Sequence, residues 1–241
     1  MSELAIVLAG LRASTDDLVG WLEGLDWTDS DVAAPSLCTG WTRGHVLSHI
    51  ARNADGITDT LAGALRGEIV ERYPDGWDAR NAAIDAGADR AFAELAADVR
   101  DSARRLDETL VAVDAAGAWE RATEHGHPAG HWPFARWKEV EIHRLDLAAG
   151  YGPDRWPAAM VAVLLEQEAA RLPERVAGPL VVTVTEAGSL VPALGDRSWP
   201  VGDGAPVEVR GPDWAVLAWL VGRPAAVADV LTATPELAPY S

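Results

Sequence analysis

Apolar residues in the first 150 positions recur at three-to-four spacing, the period of a helix that buries one face. Over residues 3–25 the stripe is Leu4, Val7, Leu8, Leu11, Leu18, Trp21 and Leu22. A stretch rich in Asp, Ser and Pro comes next, which reads as a loop ending at Gly40-Trp41. Thr42 stands where an N-cap belongs, ahead of a second stripe of Val46, Ile50, Ile57, Leu61 and Leu65 that Gly67 stops. Asp78 is the expected cap of a third helical region over 79–114, kinked or broken near Gly87-Ala88-Asp89. Residues 117–130 crowd His, Gly and Pro together and read as loop. A fourth helix starts at Trp132-Pro133, since proline suits a first turn, and ends near residues 150–153. Four amphipathic helices with modest connections predict a four-helix bundle.

Beyond Pro153 the pattern changes. Residues 157–172 read as another helix, and the β-branched run 180–185 as a strand. Short strands are expected at 190–193 and 206–210, and Asp213 as the cap of a helix over 214–221, ended by Gly222-Arg223-Pro224. The expected class is therefore α plus α+β, with a bundle over 1–152 and a small α+β domain over 153–241. The sequence contains no repeat, no P-loop and no G-x-G-x-x-G after a strand.

Charge narrows the partners. The 241 residues hold 37 acidic and 20 basic side chains, a formal charge of −17, which repels phosphate backbones and anionic lipid. Neither nucleic acid nor a membrane is expected as a partner. No apolar run approaches the roughly 18 residues of a membrane span, and the opening MSELAIVLAG has no basic flank or cleavage site, so a cytoplasmic location is expected. The single Cys38 excludes an internal disulfide and a Cys-rich zinc site. The eleven tryptophans against two phenylalanines have no explanation in the pattern alone.

All six histidines lie within residues 45–143. On the fourth helix Glu139 and His143 are four apart and share a face. His49 flanks the second helix's stripe, where a bundle would bring it against them. Two imidazoles and one carboxylate leave a coordination position open, as in catalytic zinc sites, and suit iron equally, so the metal is zinc or another divalent ion. Asp146, one turn on, is placed to accept an N–H from His143. The plain alternative is a helical ion pair with two partly buried histidines. His45 is the rival ligand, the cluster His125, His127 and His131 reads as a solvated loop, and Cys38 as a small semi-buried side chain with no base near it. Arg80 and Arg223 offer guanidinium forks for a carboxylate, and by residue alone each reads equally as a surface cation, Arg223 at a helix C-terminus where a positive charge is stabilising anyway.

The run Gly40-Trp41-Thr42-Arg43-Gly44-His45-Val46-Leu47-Ser48-His49-Ile50-Ala51-Arg52-Asn53-Ala54-Asp55 resembles the signature of mycothiol-dependent maleylpyruvate isomerases. So do Ala79-Arg80-Asn81, Arg136-Trp137-Lys138-Glu139-Val140-Glu141-Ile142-His143 with Asp146-Leu147, and Leu220-Val221-Gly222-Arg223. The resemblance covers the chain in order. It implies a DinB-like bundle followed by a sterol-carrier-like domain that closes the active-site cleft. It also implies zinc held by His49, Glu139 and His143, mycothiol as cofactor, and Arg80 and Arg223 lining the cleft. Lys138, where arginine is commoner, and the segment 125–131 depart from the family pattern.

The implied reaction is the cis–trans isomerisation of maleylpyruvate to fumarylpyruvate: a thiolate adds, the resulting single bond rotates, and elimination returns the thiol. The same ligands would serve an S-transferase that joins a low-molecular-weight thiol to an electrophile. A non-catalytic small-molecule binding module is the third reading. The expected partners are the thiol and a small anionic or electrophilic substrate.

Overall fold

A computed structural model describes residues 2–240. Its contacts separate two compact units, Met1–Ala149 and Gly150–Ser241. In the first, α1 (Glu3–Glu23) begins at Ser2, whose hydroxyl accepts from the Ala5 amide. A single turn, α2 (Asp29–Val32), lies in the stretch expected to be loop. Helix α3 (Arg43–Arg66) is capped by Thr42 as expected and ends at Gly67, whose φ of 76° is left-handed.

The third helical region is two helices, α4 (Gly76–Ala88) and α5 (Phe92–Ala115). Helix α4 starts three residues earlier than expected, with Asp75 at the cap position, so Asp78 lies in the first turn and not at the cap. Its carboxylate favours the helix N-terminus there through the dipole. Helix α6 (Trp132–Asp146) carries Pro133 in its first turn and stops short of the expected glycines.

Four helices bury their stripes against one another. Helix α3 lies along α5 and also meets α6 and α4, while α1 packs on α6 and α5. Val46, Leu47, Ile50, Ile57, Leu61, Leu95, Val99 and Val140 are fully enclosed. Trp137 joins them and donates from Nε1 to the buried Ser14 hydroxyl at 2.8 Å, which ties α6 to α1.

In the second unit, α7 (Ala158–Ala170) is followed by the short α8 (Leu172–Arg175). Strand β1 (Leu180–Val184) is central, antiparallel to β2 (Ser198–Val201) and parallel to β3 (Val207–Gly211). Val182 pairs with Trp199 on one side and Val209 on the other. Helix α9 (Asp213–Leu220) packs on α7, β1 and β3.

The strand expected at 190–193 does not form. The Leu190 and Val191 amides donate to the Asp213 carboxylate at 2.8 and 2.6 Å, and Pro192 opens a short 3₁₀ turn. Those bonds also correct the expected cap. Asp213 is the first residue of its helix, after Pro212, and its buried carboxylate gathers a neighbouring loop while accepting from the Trp214 amide. Strand β2 carries Pro200 and has no counterpart in the sequence pattern. Among the described residues, no helix is long and apolar enough to cross a membrane.

Two glycines of α1 have opposite surroundings. A Cβ on Gly10 would stand 2.2 Å from the Trp137 ring, whereas one on Gly20 meets nothing within 4 Å. Trp137 is held by Ser14 and cannot yield easily. Gly10→Ala is therefore expected to cost roughly 1–3 kcal/mol by overpacking, and Gly20→Ala to stabilise by about 0.5–1 kcal/mol through helix propensity. Chemical denaturation of the two variants checks the opposite signs.

Candidate metal centre

Helices α3 and α6 bring His49, Glu139 and His143 together although 90 positions separate the first two. His49 Nε2 lies 3.0 Å from Glu139 Oε2 and 3.0 Å from His143 Nε2, and His143 Nε2 lies 3.3 Å from Glu139 Oε2. Three potential ligand atoms thus converge, one from each residue. Two nitrogens at that distance can share only one hydrogen, so neither ring can turn a proton on the other without loss.

The surroundings bias the charge of each group. His49 is 4 % exposed. Burial, reinforced by the positive field of His143, lowers its pKa to about 4, which keeps its imidazole neutral. Burial works against the Glu139 carboxylate, but hydrogen bonds with His143 and His49 outweigh it and hold its pKa well below the usual value. Burial likewise opposes a charged His143, and its bonds to Asp146, Cys38 and Glu139 prevail and raise its pKa well above the usual value.

His143 Nδ1 is 2.8 Å from Asp146 Oδ2, and that carboxylate is wholly enclosed. A carboxylate on the far nitrogen orients an imidazole and raises its basicity as a ligand. Cys38 is not isolated from a base: its Sγ donates to the same Asp146 oxygen at 3.1 Å. The sequence could not show this, because 108 positions separate the two residues.

Arg80 reaches the site from α4. Its Nη2 donates to His49 Nδ1 at 2.8 Å and its Nη1 to Asn81 Oδ1 at 2.9 Å. A guanidinium only donates, so His49 Nδ1 accepts and the hydrogen of that ring sits on Nε2, toward Glu139.

The other histidines of the first unit do not join the trio. His45 is consumed in the cap of α3: its Nδ1 accepts from the Thr42 amide at 3.2 Å, and its Nε2 faces Asp85 at 3.6 Å. His125, His127 and His131 are exposed, with the rings of the last two stacked 4.1 Å apart. Arg223 belongs to the second unit, where its Nη1 donates to the Val221 carbonyl at 2.6 Å. A cavity of about 620 Å³ between α1 and α5 is lined by Leu11, Val19, Leu106 and Arg136 but by none of the trio.

The residues present fit a divalent cation. On a tetrahedral ion with bonds of about 2.0–2.1 Å, neighbouring ligand atoms stand about 3.3 Å apart. The observed separations of 3.0–3.3 Å are close to that spacing before any adjustment. His49, Glu139 and His143 would hold the ion and leave a tetrahedral centre one position for an outside ligand. His49→Ala, Glu139→Ala and His143→Ala are each expected to abolish stoichiometric zinc binding. Asp146→Ala should weaken it by roughly 10–100-fold. A proton on His143 competes with the cation, and its pKa is held well above the ordinary histidine value, so affinity should fall as pH drops and the fall should begin above that ordinary value. Zinc titration against a fluorescent chelator at several pH values measures both effects.

The chain is similar to known proteins along most of its length. The family model for the mycothiol maleylpyruvate isomerase N-terminal domain matches residues 11–148. The crystal structure of a mycothiol-dependent maleylpyruvate isomerase superposes with a TM-score of 0.83, at 24% identity over 99% of this chain and 98% of that one. A histidine-to-alanine mutant of that protein superposes equally well. No curated protein matches the sequence significantly. With more than half its length matched, the chain belongs to the mycothiol maleylpyruvate isomerase family.

Proposed function

We propose that the protein is a zinc- and mycothiol-dependent isomerase that converts maleylpyruvate to fumarylpyruvate. The observation that carries this reading is the set of His49, Glu139 and His143 with the fork of Arg80 against it. In this reading residues 1–152 form a DinB-like metal-binding four-helix bundle, supported by the mutual packing of α1, α3, α5 and α6. Residues 153–241 form a sterol-carrier-like domain, supported by a small sheet covered by α9.

When bound, the cation lowers the pKa of a coordinated thiol, and the thiolate supplies a nucleophile that adds reversibly to a conjugated double bond. The chain's own residues supply the charge and the orientation around that centre. Glu139 contributes one negative charge to it, so a divalent ion there would keep one net positive charge, which favours an outside thiol in its thiolate form. Asp146 holds the His143 ring in one orientation. When Nδ1 of His49 carries the ring hydrogen, Arg80 has no acceptor there, and its fork turns to a substrate carboxylate. From that place its charge stabilises the enolate that develops next to the reacting carbons. Arg223 is the second arginine this reading assigns to the substrate's carboxylates. Substrate and product are isomers, so nothing is consumed and the thiol is returned.

A maleylpyruvate assay with zinc-loaded protein and substoichiometric mycothiol tests the proposal, with product and free thiol measured together. Many turnovers per thiol are expected. Arg80→Ala should lower kcat/KM by about 10–100-fold, the worth of a hydrogen bond to a charged group, with zinc content unchanged. One adduct per thiol, with the thiol consumed, would instead establish S-transfer on the same centre.

A further inference from the structure

We propose that Trp77, with Tyr73 and Trp41 behind it, forms a stacking subsite for a neutral, hydroxyl-bearing saturated ring, and that its occupant is the ring-bearing end of the thiol. The subsite rests on the reading that a thiol is held at the metal centre. The geometry begins at the ligands and runs outward. The Trp41 ring lies 5.5 Å from the His49 ring. The Arg80 guanidinium carbon is 5.8 Å from the centre of Trp41, 5.8 Å from Tyr73 and 5.7 Å from Trp77. Tyr73 and Trp77 are 5.2 Å apart. These aromatic faces therefore lead from a candidate ligand to solvent, where Trp77 is 65 % exposed.

An indole so exposed adds little to the core. Burial of apolar area is what makes tryptophan stabilising, and most of that area is still in water here. A second observation points to a missing polar partner. Arg80 Nε is buried beside these rings with no hydrogen-bond acceptor among the described residues. An orphaned buried N–H is costly, and a ligand oxygen would relieve it.

Electrostatics selects the occupant. The face of an indole is the negative side of its quadrupole, so it repels an anion laid over it. Asp75 and Asp78, both exposed on the first turn of α4 or at its cap, add to that repulsion. A small dianion is therefore directed to the Arg80 fork and away from the Trp77 face. A saturated ring with hydroxyls suits Trp77 better. Its C–H face is weakly positive and apolar, and its edge offers hydrogen bonds to Asp78, Asn81 and Arg80. Mycothiol has this chemistry: its sulfur sits on an acylated cysteine joined to two hydroxylated six-membered rings. With the sulfur at the metal centre, the rings must leave by the mouth of the site, where these aromatic faces are.

The test uses the zinc-loaded full chain and three probes in calorimetry: mycothiol, N-acetylcysteine (sulfur without the rings) and glucosaminyl-inositol (rings without the sulfur). Trp77→Ala is expected to weaken mycothiol about tenfold, the worth of one stacked ring, and to leave zinc content and N-acetylcysteine binding unchanged. Trp77→Phe should recover most of the loss. Glucosaminyl-inositol should quench tryptophan fluorescence in the wild type and not in Trp77→Ala. An unchanged mycothiol affinity in Trp77→Ala, or an equal loss for N-acetylcysteine, would overturn the subsite. If neither thiol binds the wild type while the ring fragment still quenches Trp77, the functional reading and the thiol as occupant are both overturned, and only the affinity of Trp77 for a hydroxylated ring remains. If the ring fragment also gives no signal, that affinity is overturned as well.

Discussion

Arg136 lies wholly inside the first unit and donates from Nη1 to the Ile50 carbonyl and to Asn53 Oδ1, each at 2.8 Å. Burial lowers its pKa to about 10, while Glu139 and Asp55 favour the charge, so the guanidinium stays ionised at neutral pH. Ile50 is the residue directly after His49, and Glu139 stands one turn after Arg136 on α6. This single buried charge therefore sets both the separation and the rotation of α3 against α6 at the level of the ligands. A charge so enclosed is costly to leave unpartnered, which makes the helix pairing all-or-none there. Trp137, next on the same helix, reaches the other way to Ser14 and occupies the space left by Gly10. Adjacent residues thus hold α6 to two different neighbours, and the ligand geometry depends on both.

The site also shows how an acidic chain can receive an anion. The formal charge of −17 opposes the approach of a dianion, and most arginines are spent on local pairs, as Arg12 is with Asp107 and Arg104 with Glu108. Arg80 is engaged by neutral groups, His49 and Asn81, and by ring faces, so its charge is not cancelled by a carboxylate contact. It is a compact positive spot on a negative molecule. Low dielectric around His49 strengthens that field.

The tryptophans that composition left unexplained divide by role. Trp132, Trp137, Trp156 and Trp219 are buried and fill volume. The indole N–H of Trp132 finds the Thr123 hydroxyl, that of Trp137 the Ser14 hydroxyl and that of Trp219 the Pro235 carbonyl. Trp41 and Trp77 instead present their faces to the Arg80 guanidinium. A composition cannot separate these uses, because burial is a property of the neighbours and not of the residue.

The helical part was legible because its signals are local. Three-to-four periodicity located α1 and α3, a kink signal near Gly87 and a first-turn proline marked α5 and α6, and the Thr42 cap and Gly67 stop are decided within a few residues. The i, i+4 spacing put Glu139 and His143 on one face for the same reason. The second unit was less legible. Residues 190–193 look like a strand, yet their amides are taken by Asp213 from more than 20 positions away, and β2 is held by pairing with β1 more than by its own propensity. Around the metal centre, the meeting of α3 with α6, the diversion of His45 into a cap, the Cys38–Asp146 contact and the reach of Arg80 to His49 all belong to the tertiary structure. Backbone period and capping act over one or two turns, so a sequence determines them directly. Which faces meet depends on buried packing and charge partners contributed from distant parts of the chain, and only the folded molecule brings those together.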